Sequence, residues 1–286
     1  MRTLVTDSDE YLNLKDEKIF HGKVAIVTGA SRGVGFATAQ ELVLRGAKVV
    51  ITARGEKRLL DSKAKLEAIG GEVMAVAGDV GKWDDAKRMV ETAIGKFGRL
   101  DILVNNAGVS MRGRFDELSP EVCAQVAQTN LMGCIYPTKA AINHIIASKG
   151  NIIFISSIAG LFGLPVASIY CATKKALTGF AESLRIELIP KGVHIGVVYL
   201  GFTEHDPEKR ILAADGALVP PDRPAHYSQV HAASLIVKML EKRKKQLIMT
   251  PIGILGGMIY RLSPTIIEKA ILWAQASQWG VFKRFS

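Results

Sequence analysis

Two residues four positions apart in one predicted helix, Tyr170 and Lys174, could together transfer a proton. Side chains at positions i and i+4 of an α-helix share a face, so the phenol and the ammonium would be neighbours. A tyrosine hydroxyl is a weak acid, and a nearby positive charge stabilises its phenolate form. The pair could act as an acid toward a carbonyl oxygen or as a base toward an alcohol. Most such pairs occur by chance, so this one indicates chemistry only together with other motifs.

A glycine-rich loop, T-G-A-S-R-G-V-G at residues 28–35, lies between the first predicted strand and the first predicted helix. Glycine permits a tight turn and a close approach of the backbone to a pyrophosphate, and the helix N-terminus supplies N–H donors. At the start of a βαβ unit this pattern predicts a dinucleotide-binding loop. The predicted contacts from the loop are Gly29, Ser31, Arg32, Gly33, Val34 and Gly35.

Charges near this loop indicate which dinucleotide would bind. Folds of this kind that bind NAD usually place a carboxylate at the end of the second strand, where it holds the ribose hydroxyls. Here that strand leads into Arg54 without an acid, and Arg32 lies within the glycine loop. Two guanidinium groups could hold an extra phosphate through charge-assisted hydrogen bonds. The sequence therefore favours NADP(H), the alternative being that either arginine points into solvent.

These motifs resemble the short-chain dehydrogenase/reductase family in its compact, single-domain form, over about residues 22–250. The matching segments are the glycine loop, N-N-A-G at residues 105–108, Asn130 in T-N-L-M-G, Ser157 thirteen residues before Tyr170, and Y-C-A-T-K at residues 170–174. One segment departs from the family pattern, because L-G-F-T at residues 200–203 stands where the family usually has Pro-Gly. The missing proline loosens the preset backbone angle of that loop.

The resemblance implies a role for each matching position. Tyr170 would be the proton donor, Ser157 would hydrogen-bond the substrate oxygen, and Lys174 would hold the nicotinamide ribose and tune Tyr170. Asn130 would anchor a water molecule in a proton relay. Without the motif, a structural hydrogen bond would explain Asn130 equally well, and loop capping would explain Ser157. Further implied cofactor contacts are Asp79 and Val80 at the adenine, and Asn106, Ala107, Gly108 and Thr203 along the cofactor.

Short apolar runs alternate with helical periodicity from Lys23 onward. Runs typical of strands buried on both faces occupy residues 24–28, 48–52, 73–77, 102–104, 151–156, 193–199 and 246–250. Their alternation with helices predicts an α/β protein with a doubly wound, seven-stranded parallel sheet, a Rossmann fold with helices on both faces. Ligands of such sheets bind beyond the carboxyl ends of the strands. One long helix is also predicted over residues 120–149, bent around Pro137.

The chain divides into three predicted regions. Residues 1–21 form a polar arm, residues 22–250 form the Rossmann-fold catalytic domain with a substrate-loop insertion at 202–226, and residues 251–286 form a helical, apolar and basic extension. The insertion and residues 109–115 and 161–166 should form the substrate wall. Its apolar side chains suit a lipophilic ketone or alcohol. The alternative is that these residues pack against each other or at a subunit contact.

The extension has apolar residues at helical spacing after a helix start at Ser263-Pro264, and the basic run 242–245 precedes it. Trp279, Phe282 and Lys283 follow it. Such helices suit an interfacial membrane contact, with a cover over the substrate pocket or a dimer seam as equal alternatives. The extension and the insertion together resemble the hydroxysteroid-dehydrogenase-like branch, which includes membrane-associated reductases of steroids and retinoids.

Composition excludes several other classes of function. The formal net charge is +10, but no nucleic-acid-binding motif is present and aromatic residues are not interleaved with the basic ones. Three cysteines without Cys/His clustering predict neither a disulfide framework nor a metal site. The first 21 residues lack a signal-peptide pattern, and no run of about 18 apolar residues predicts a spanning helix. We therefore expect a cytoplasmic protein, with attachment to a membrane surface left open.

The sequence thus predicts an NADP(H)-dependent oxidoreductase acting on a lipophilic carbonyl compound or secondary alcohol in lipid metabolism. The family resemblance further implies a homodimer or homotetramer formed through the long helices. A 3-oxoacyl-thioester reductase is an alternative within enzymes. An NADP-sensing binding protein with little turnover is an alternative of another class, although a sensor would need only the cofactor loop. A peripheral membrane scaffold acting through the extension is a third.

Overall fold

The computed structural model describes residues 18–204, 206–222 and 226–277. These residues form nine strands: β1 (Val24–Thr28), β2 (Lys48–Ala53), β3 (Val73–Ala77), β4 (Ile102–Asn105), β5 (Asn151–Ser157), β6 (His194–Leu200), β7 (Ile211–Leu212), β8 (Leu218–Val219) and β9 (Gln246–Ile248). Seven of them form one parallel sheet in the order β3-β2-β1-β4-β5-β6-β9, while β7 and β8 pair separately as an antiparallel hairpin. The predicted doubly wound, seven-stranded sheet is confirmed.

Nine α-helices accompany the strands in the described residues. They are α1 (Gly33–Leu44), α2 (Glu56–Glu67), α3 (Trp83–Phe97), α4 (Pro120–Ala127), α5 (Gly133–Ser148), α6 (Ser168–Leu188), α7 (Gln229–Glu241), α8 (Pro251–Leu262) and α9 (Pro264–Ala276). Helices α1, α2 and α7 pack on one face of the sheet, and α3, α5 and α6 pack on the other.

Both faces of the sheet are buried because successive strand residues point to opposite sides. In β1, Val24 and Ile26 belong to the core beneath α3, α5 and α6, whereas Ala25 and Val27 belong to the core beneath α1, α2 and α7. This double burial explains why the strands are apolar throughout. The strand order reverses between β1 and β4, so a ligand crevice opens beyond their carboxyl ends.

The prediction of one continuous helix over residues 120–149, bent around Pro137, is wrong about where the helix is interrupted. A π-helical turn at Gln128–Met132 separates α4 from α5, and Pro137 lies inside α5 rather than at the break. A π turn adds one residue to a helical turn and often occurs at functional sites. The apolar pattern of residues 120–149 continues across the turn, and therefore it did not indicate the break.

The region after α7 follows the predicted order of basic run, strand and helical extension. The basic run 242–245 precedes β9, and α8 follows it, so the strand separates them. Because β9 is parallel to the rest of the sheet, this basic run lies at the amino edge and α8 begins at the carboxyl edge. Helix α9 begins at Pro264, as predicted, and α8 lies within the extension at residues 251–286 that was predicted to be helical. The β7–β8 hairpin was not anticipated. Among the described residues, no helix is long and apolar enough to span a membrane.

Candidate active site

The glycine loop packs tightly against the backbone that follows β4. Gly29 has a φ of +66°, and a Cβ there would lie 2.8 Å from the Cα of Ala107. A Cβ on Gly35 would overlap the Asn106 side-chain amide and the Gly29 carbonyl. Gly33 has a φ of +64°, which side chains rarely adopt. Glycine is therefore required at these positions by close approach or by backbone conformation.

Asn106 and Thr28 fasten this loop to the end of β4. The Thr28 hydroxyl oxygen accepts hydrogen bonds from the backbone N–H groups of Asn106 at 2.9 Å and Ala107 at 3.0 Å. The Asn106 side-chain amide donates to the carbonyls of Thr28 at 2.8 Å and Gly29 at 3.2 Å. Two loops at the switch point thus form one rigid unit. Thr28 belongs to the predicted cofactor loop at residues 28–35, but it was not among the predicted contacts of that loop.

The N-terminus of α1 is free to meet an anion. Its N-cap residue, Arg32, makes no side-chain capping bond, so the first N–H groups of the helix lack that partner. Val34 packs against the core, and the Ser31 carbonyl accepts a hydrogen bond from Ser62 at 3.0 Å. The loop is therefore held on its core side, and the helix N-terminus has no side-chain cap that would compete with a phosphate.

The two arginines predicted to recognise a phosphate differ in environment. Arg32 is half-buried, and its Nη1 atom is fully buried with no hydrogen-bond partner among the described residues. Arg54 is exposed just after β2. A buried guanidinium nitrogen without an acceptor is costly, and a ligand phosphate would supply that acceptor.

Asp79 and Val80, the residues predicted at the adenine, follow β3. Val80 is buried, and the Asp79 carboxylate accepts a hydrogen bond from the Gly81 N–H at 2.9 Å. The backbone N–H of Asp79 donates to the carboxylate of Asp85 at 2.8 Å, and this bond is the main cause that lowers the pKa of Asp85. The Asp79 side chain thus holds its own turn in shape.

Tyr170 and Lys174 lie one turn apart on α6, as predicted. The Lys174 residue is 4% exposed, and its ammonium donates to the Ile155 carbonyl of β5 at 2.8 Å. Its Nζ atom lies 5.8 Å from the centroid of the Tyr170 ring. An ammonium carries three protons, so the Ile155 bond leaves donors for another partner in front of Tyr170.

Ser157 and Asn130, the other two predicted catalytic residues, lie on elements other than α6. Ser157 is the last residue of β5, and its hydroxyl oxygen accepts a hydrogen bond from the Ala159 N–H at 3.3 Å. Asn130 is fully buried in the π-helical turn. Its side chain accepts from the Val109 N–H at 2.8 Å and donates to the Val109 carbonyl at 2.9 Å and to Thr173 at 3.3 Å.

Asn130 therefore ties the segment after β4 to the helix that carries Tyr170. Gly108 lies between them, because a Cβ there would be 3.2 Å from the Asn130 side-chain oxygen and 3.5 Å from Lys174 Nζ. Thr203, after β6, is 6% exposed and forms an isolated bridge with Tyr227. The structure thus places Thr203 in backbone pairing at the mouth of the insertion.

An apolar cluster lies beside the Tyr170 ring. Its buried members are Met111, Val122, Val126 and Leu212, and Tyr170 packs against them. Leu212 belongs to β7 of the insertion, which is held by hydrogen bonds from Arg112 N–H to the Leu212 carbonyl at 2.8 Å and from Leu212 N–H to the Ser110 carbonyl at 3.0 Å. Two of the three predicted wall segments thus meet next to Tyr170. Leu212 was not singled out in the sequence.

Comparisons with known proteins agree with this architecture. The family model for short chain dehydrogenase matches residues 23–215. The 11-beta-hydroxysteroid dehydrogenase-like 4A protein of Arabidopsis thaliana is 41% identical over 193 residues, which are 67% of this chain and 64% of that protein. The chain thus matches less than two thirds of that relative's length.

Solved structures with the same fold include two from Burkholderia. A short chain dehydrogenase/reductase from Burkholderia phymatum in complex with NAD gives a TM-score of 0.77 at 23% identity, covering 86% of this chain and 95% of that one. A short chain dehydrogenase from Burkholderia cenocepacia in complex with NADP gives 0.70 at 29% identity, covering 80% and 96%. The chain belongs to the short-chain dehydrogenase/reductase family, a class of oxidoreductases with nicotinamide cofactors, and it is similar to the hydroxysteroid-dehydrogenase-like branch.

Proposed function

We propose that this chain catalyses NADP(H)-dependent interconversion of a carbonyl group and a secondary alcohol in a lipophilic substrate. The observation that carries the proposal is Lys174, whose buried ammonium has spare donors and lies 5.8 Å from the Tyr170 ring. Positive charge at that place stabilises a phenolate, so the Tyr170 hydroxyl can give its proton to a carbonyl oxygen and take it back. The Ser157 hydroxyl would donate a hydrogen bond to the same oxygen.

The chain's residues also fit the proposed cofactor. The close-packed glycines leave room for a pyrophosphate over the N-terminus of α1, and the buried Arg32 Nη1 needs an acceptor that the 2′-phosphate would provide. Lys174 would hold the nicotinamide ribose, and Arg54, just after β2, would face the 2′-phosphate. When bound, the nicotinamide supplies or accepts the hydride.

The apolar cluster beside Tyr170 supports a lipophilic substrate. Met111 and Leu212 are 2% and 4% exposed. They belong to two segments, the loop after β4 and strand β7, that are joined by backbone hydrogen bonds. Apolar walls around few polar anchors favour ligands with a hydrocarbon body. The hydroxysteroid-dehydrogenase-like name of the Arabidopsis relative agrees with such a substrate class.

Turnover by Tyr170→Phe tests the proposal. NADPH oxidation is followed with lipophilic ketones and short 3-oxoacyl thioesters, and cofactor affinity is measured by fluorescence titration. Removing the hydroxyl should lower kcat by about 100-fold or more while NADPH binding persists. Tyr136→Phe, on α5, is the matched control and should keep full activity. Equal turnover by Tyr170→Phe and the wild type would refute the assignment of Tyr170, and faster turnover of the thioesters would favour the acyl-thioester alternative.

A further inference from the structure

Helix α8 is packed with its small residues inward and its large apolar residues outward. Its buried residues are Gly253, Gly256 and Gly257. On the other side Leu255, Met258 and Leu262 are 60%, 60% and 87% exposed. Their spacing of three and four residues places them on one face of the helix. A helix at a protein–water surface normally shows the opposite arrangement.

The glycines allow α8 to lie close against the segment that follows Ser157. A Cβ on Gly256 would be 3.0 Å from the Phe162 ring, and a Cβ on Gly257 would be 3.5 Å from Leu161. Tyr260 adds a polar fastening, because its hydroxyl accepts a hydrogen bond from Lys175 at 2.8 Å. The outward direction of the leucines is thus fixed by contacts on the opposite side of the helix.

Helix α9 extends the same kind of surface. It contacts α8, follows it after Ser263, and has Ala274 as its one buried residue. Ile266 is 55% exposed and Trp273 is 63% exposed, seven positions apart on one face. We call the exposed residues Ile252, Leu255, Met258, Leu262, Ile266 and Trp273 the helix-pair surface.

Charge indicates which partner covers this surface. Arg261 and Lys269 are exposed on the same two helices, where Glu268 is the only acid, and the whole chain has a net charge of +10. A second copy would bring like charges together, whereas anionic lipid headgroups would attract these cations. Tryptophan also favours the boundary between lipid and water. We propose that the helix-pair surface docks onto a bilayer containing anionic phospholipid.

Vesicle binding by the full chain tests this docking. Sedimentation is measured with neutral phosphatidylcholine vesicles and with vesicles containing about one third phosphatidylglycerol. The wild type should bind the anionic vesicles about fivefold more tightly or better. Leu255→Glu/Leu262→Glu should weaken that binding about tenfold or more, because two exposed leucines that would insert into the bilayer are lost. Leu60→Glu, an exposed leucine on α2, is the control and should bind like the wild type.

A charge variant separates the electrostatic part from the apolar part. Arg261→Glu/Lys269→Glu leaves the leucines in place and should remove the preference for anionic vesicles. Light scattering without lipid measures the mass of every variant. Wild-type vesicle binding by the leucine variant would overturn the proposal. A fall in its oligomeric mass, with vesicle binding unchanged, would show that a second copy occupies the surface.

Discussion

Lys174 combines deep burial with incomplete hydrogen bonding. Its ammonium meets the Ile155 carbonyl and has no ion-pair partner among the described residues. Buried charge without full compensation destabilises a folded protein, and apolar replacements of similar shape are often neutral or stabilising. The position therefore fits a residue kept for its chemistry rather than for stability of the fold.

The first prediction follows for Lys174→Met. Without cofactor the variant should be as stable as the wild type, or more stable by about 1–2 kcal/mol, while kcat falls about 100-fold or more. Urea unfolding and NADPH oxidation measure the two effects. Lys175→Met, on the exposed neighbour, should change neither strongly. A stability loss of more than about 2 kcal/mol would instead make Lys174 a structural link between α6 and β5.

A second prediction at this scale concerns Arg32. Its buried Nη1 lacks a partner among the described residues, and a charge-assisted hydrogen bond to phosphate contributes about 1.5–3 kcal/mol. Arg32→Ala should weaken NADPH binding by about 10- to 100-fold while NADH binding changes little. Titration of both cofactors checks this, with Lys57→Ala on α2 as the control. Equal weakening of both cofactors would assign Arg32 to the shared part of the dinucleotide.

Among the connecting elements, the segment between Ser157 and α6 holds one strained residue. Val166 has a φ of +53°, which is unusual for a β-branched side chain, and its carbonyl accepts a hydrogen bond from the Gly113 N–H at 2.9 Å. That bond joins two walls of the proposed substrate site. Strained backbone persists where the surroundings enforce it, often beside active sites.

Relief of this strain is a third prediction. Asparagine tolerates the left-handed conformation, so Val166→Asn should raise the free energy of unfolding by about 0.5–1 kcal/mol. Chemical denaturation measures the change. Val230→Asn, at an exposed helical position of α7, should be neutral or slightly destabilising. Destabilisation by Val166→Asn comparable to a buried valine loss would show that packing, not backbone strain, dominates there.

The elements of the sheet could be predicted because each depends on local pattern. Continuous apolar runs mark strands covered on both faces, and glycines such as Gly98 end helices in the left-handed conformation. The β7–β8 hairpin could not be found in this way. Each of its strands has two residues, and it is held by Ser110 and Arg112, about 100 positions earlier in the chain. Helix α8 lies within the extension that was predicted to be helical, but its buried face could not be predicted because glycines, not large apolar residues, point inward.

In the candidate site, too, the features that depend on local sequence pattern could be predicted and the long-range contacts could not. Spacing alone brought Tyr170 beside Lys174, because one helix carries both. The bonds from Asn130 to both backbone groups of Val109 cross from a π-helical turn to a loop. No local pattern indicates such a contact. Likewise, Arg32 Nη1 is buried whereas Arg54 is exposed. This difference depends on packing between loops, which no local sequence pattern specifies.

For the whole molecule, His194 links stability to pH. It lies at the start of β6, where its ring contacts Asn151 at 3.1 Å and the Lys244 carbonyl at 2.9 Å. Burial lowers the pKa of His194 from 6.5 to about 4. Between about pH 4 and pH 6.5, His194 is therefore protonated in the unfolded chain but neutral in the folded protein. The free energy of unfolding consequently declines as the pH falls from about 6.5 to about 4.

The fourth prediction uses this difference. The contribution of His194 to acid destabilisation should reach up to about 3 kcal/mol at pH 4. His194→Gln should show a correspondingly shallower decline between pH 6.5 and pH 4, measured by urea unfolding across that range. His144→Gln, at an exposed position of α5, should follow the wild-type curve. Parallel curves for His194→Gln and the wild type would show that other groups cause the decline.

The inverted packing of α8 also has a consequence for local unfolding. Glycine contacts remove little apolar area from water, so separating α8 and α9 from the rest of the molecule should cost far less free energy than global unfolding. Their amide hydrogens should then exchange with solvent deuterium well before those of β1 or β4. A partner that binds these helices would slow the exchange of their amides without changing that of the sheet. Deuterium uptake measured peptide by peptide would therefore show which part of the chain is bound.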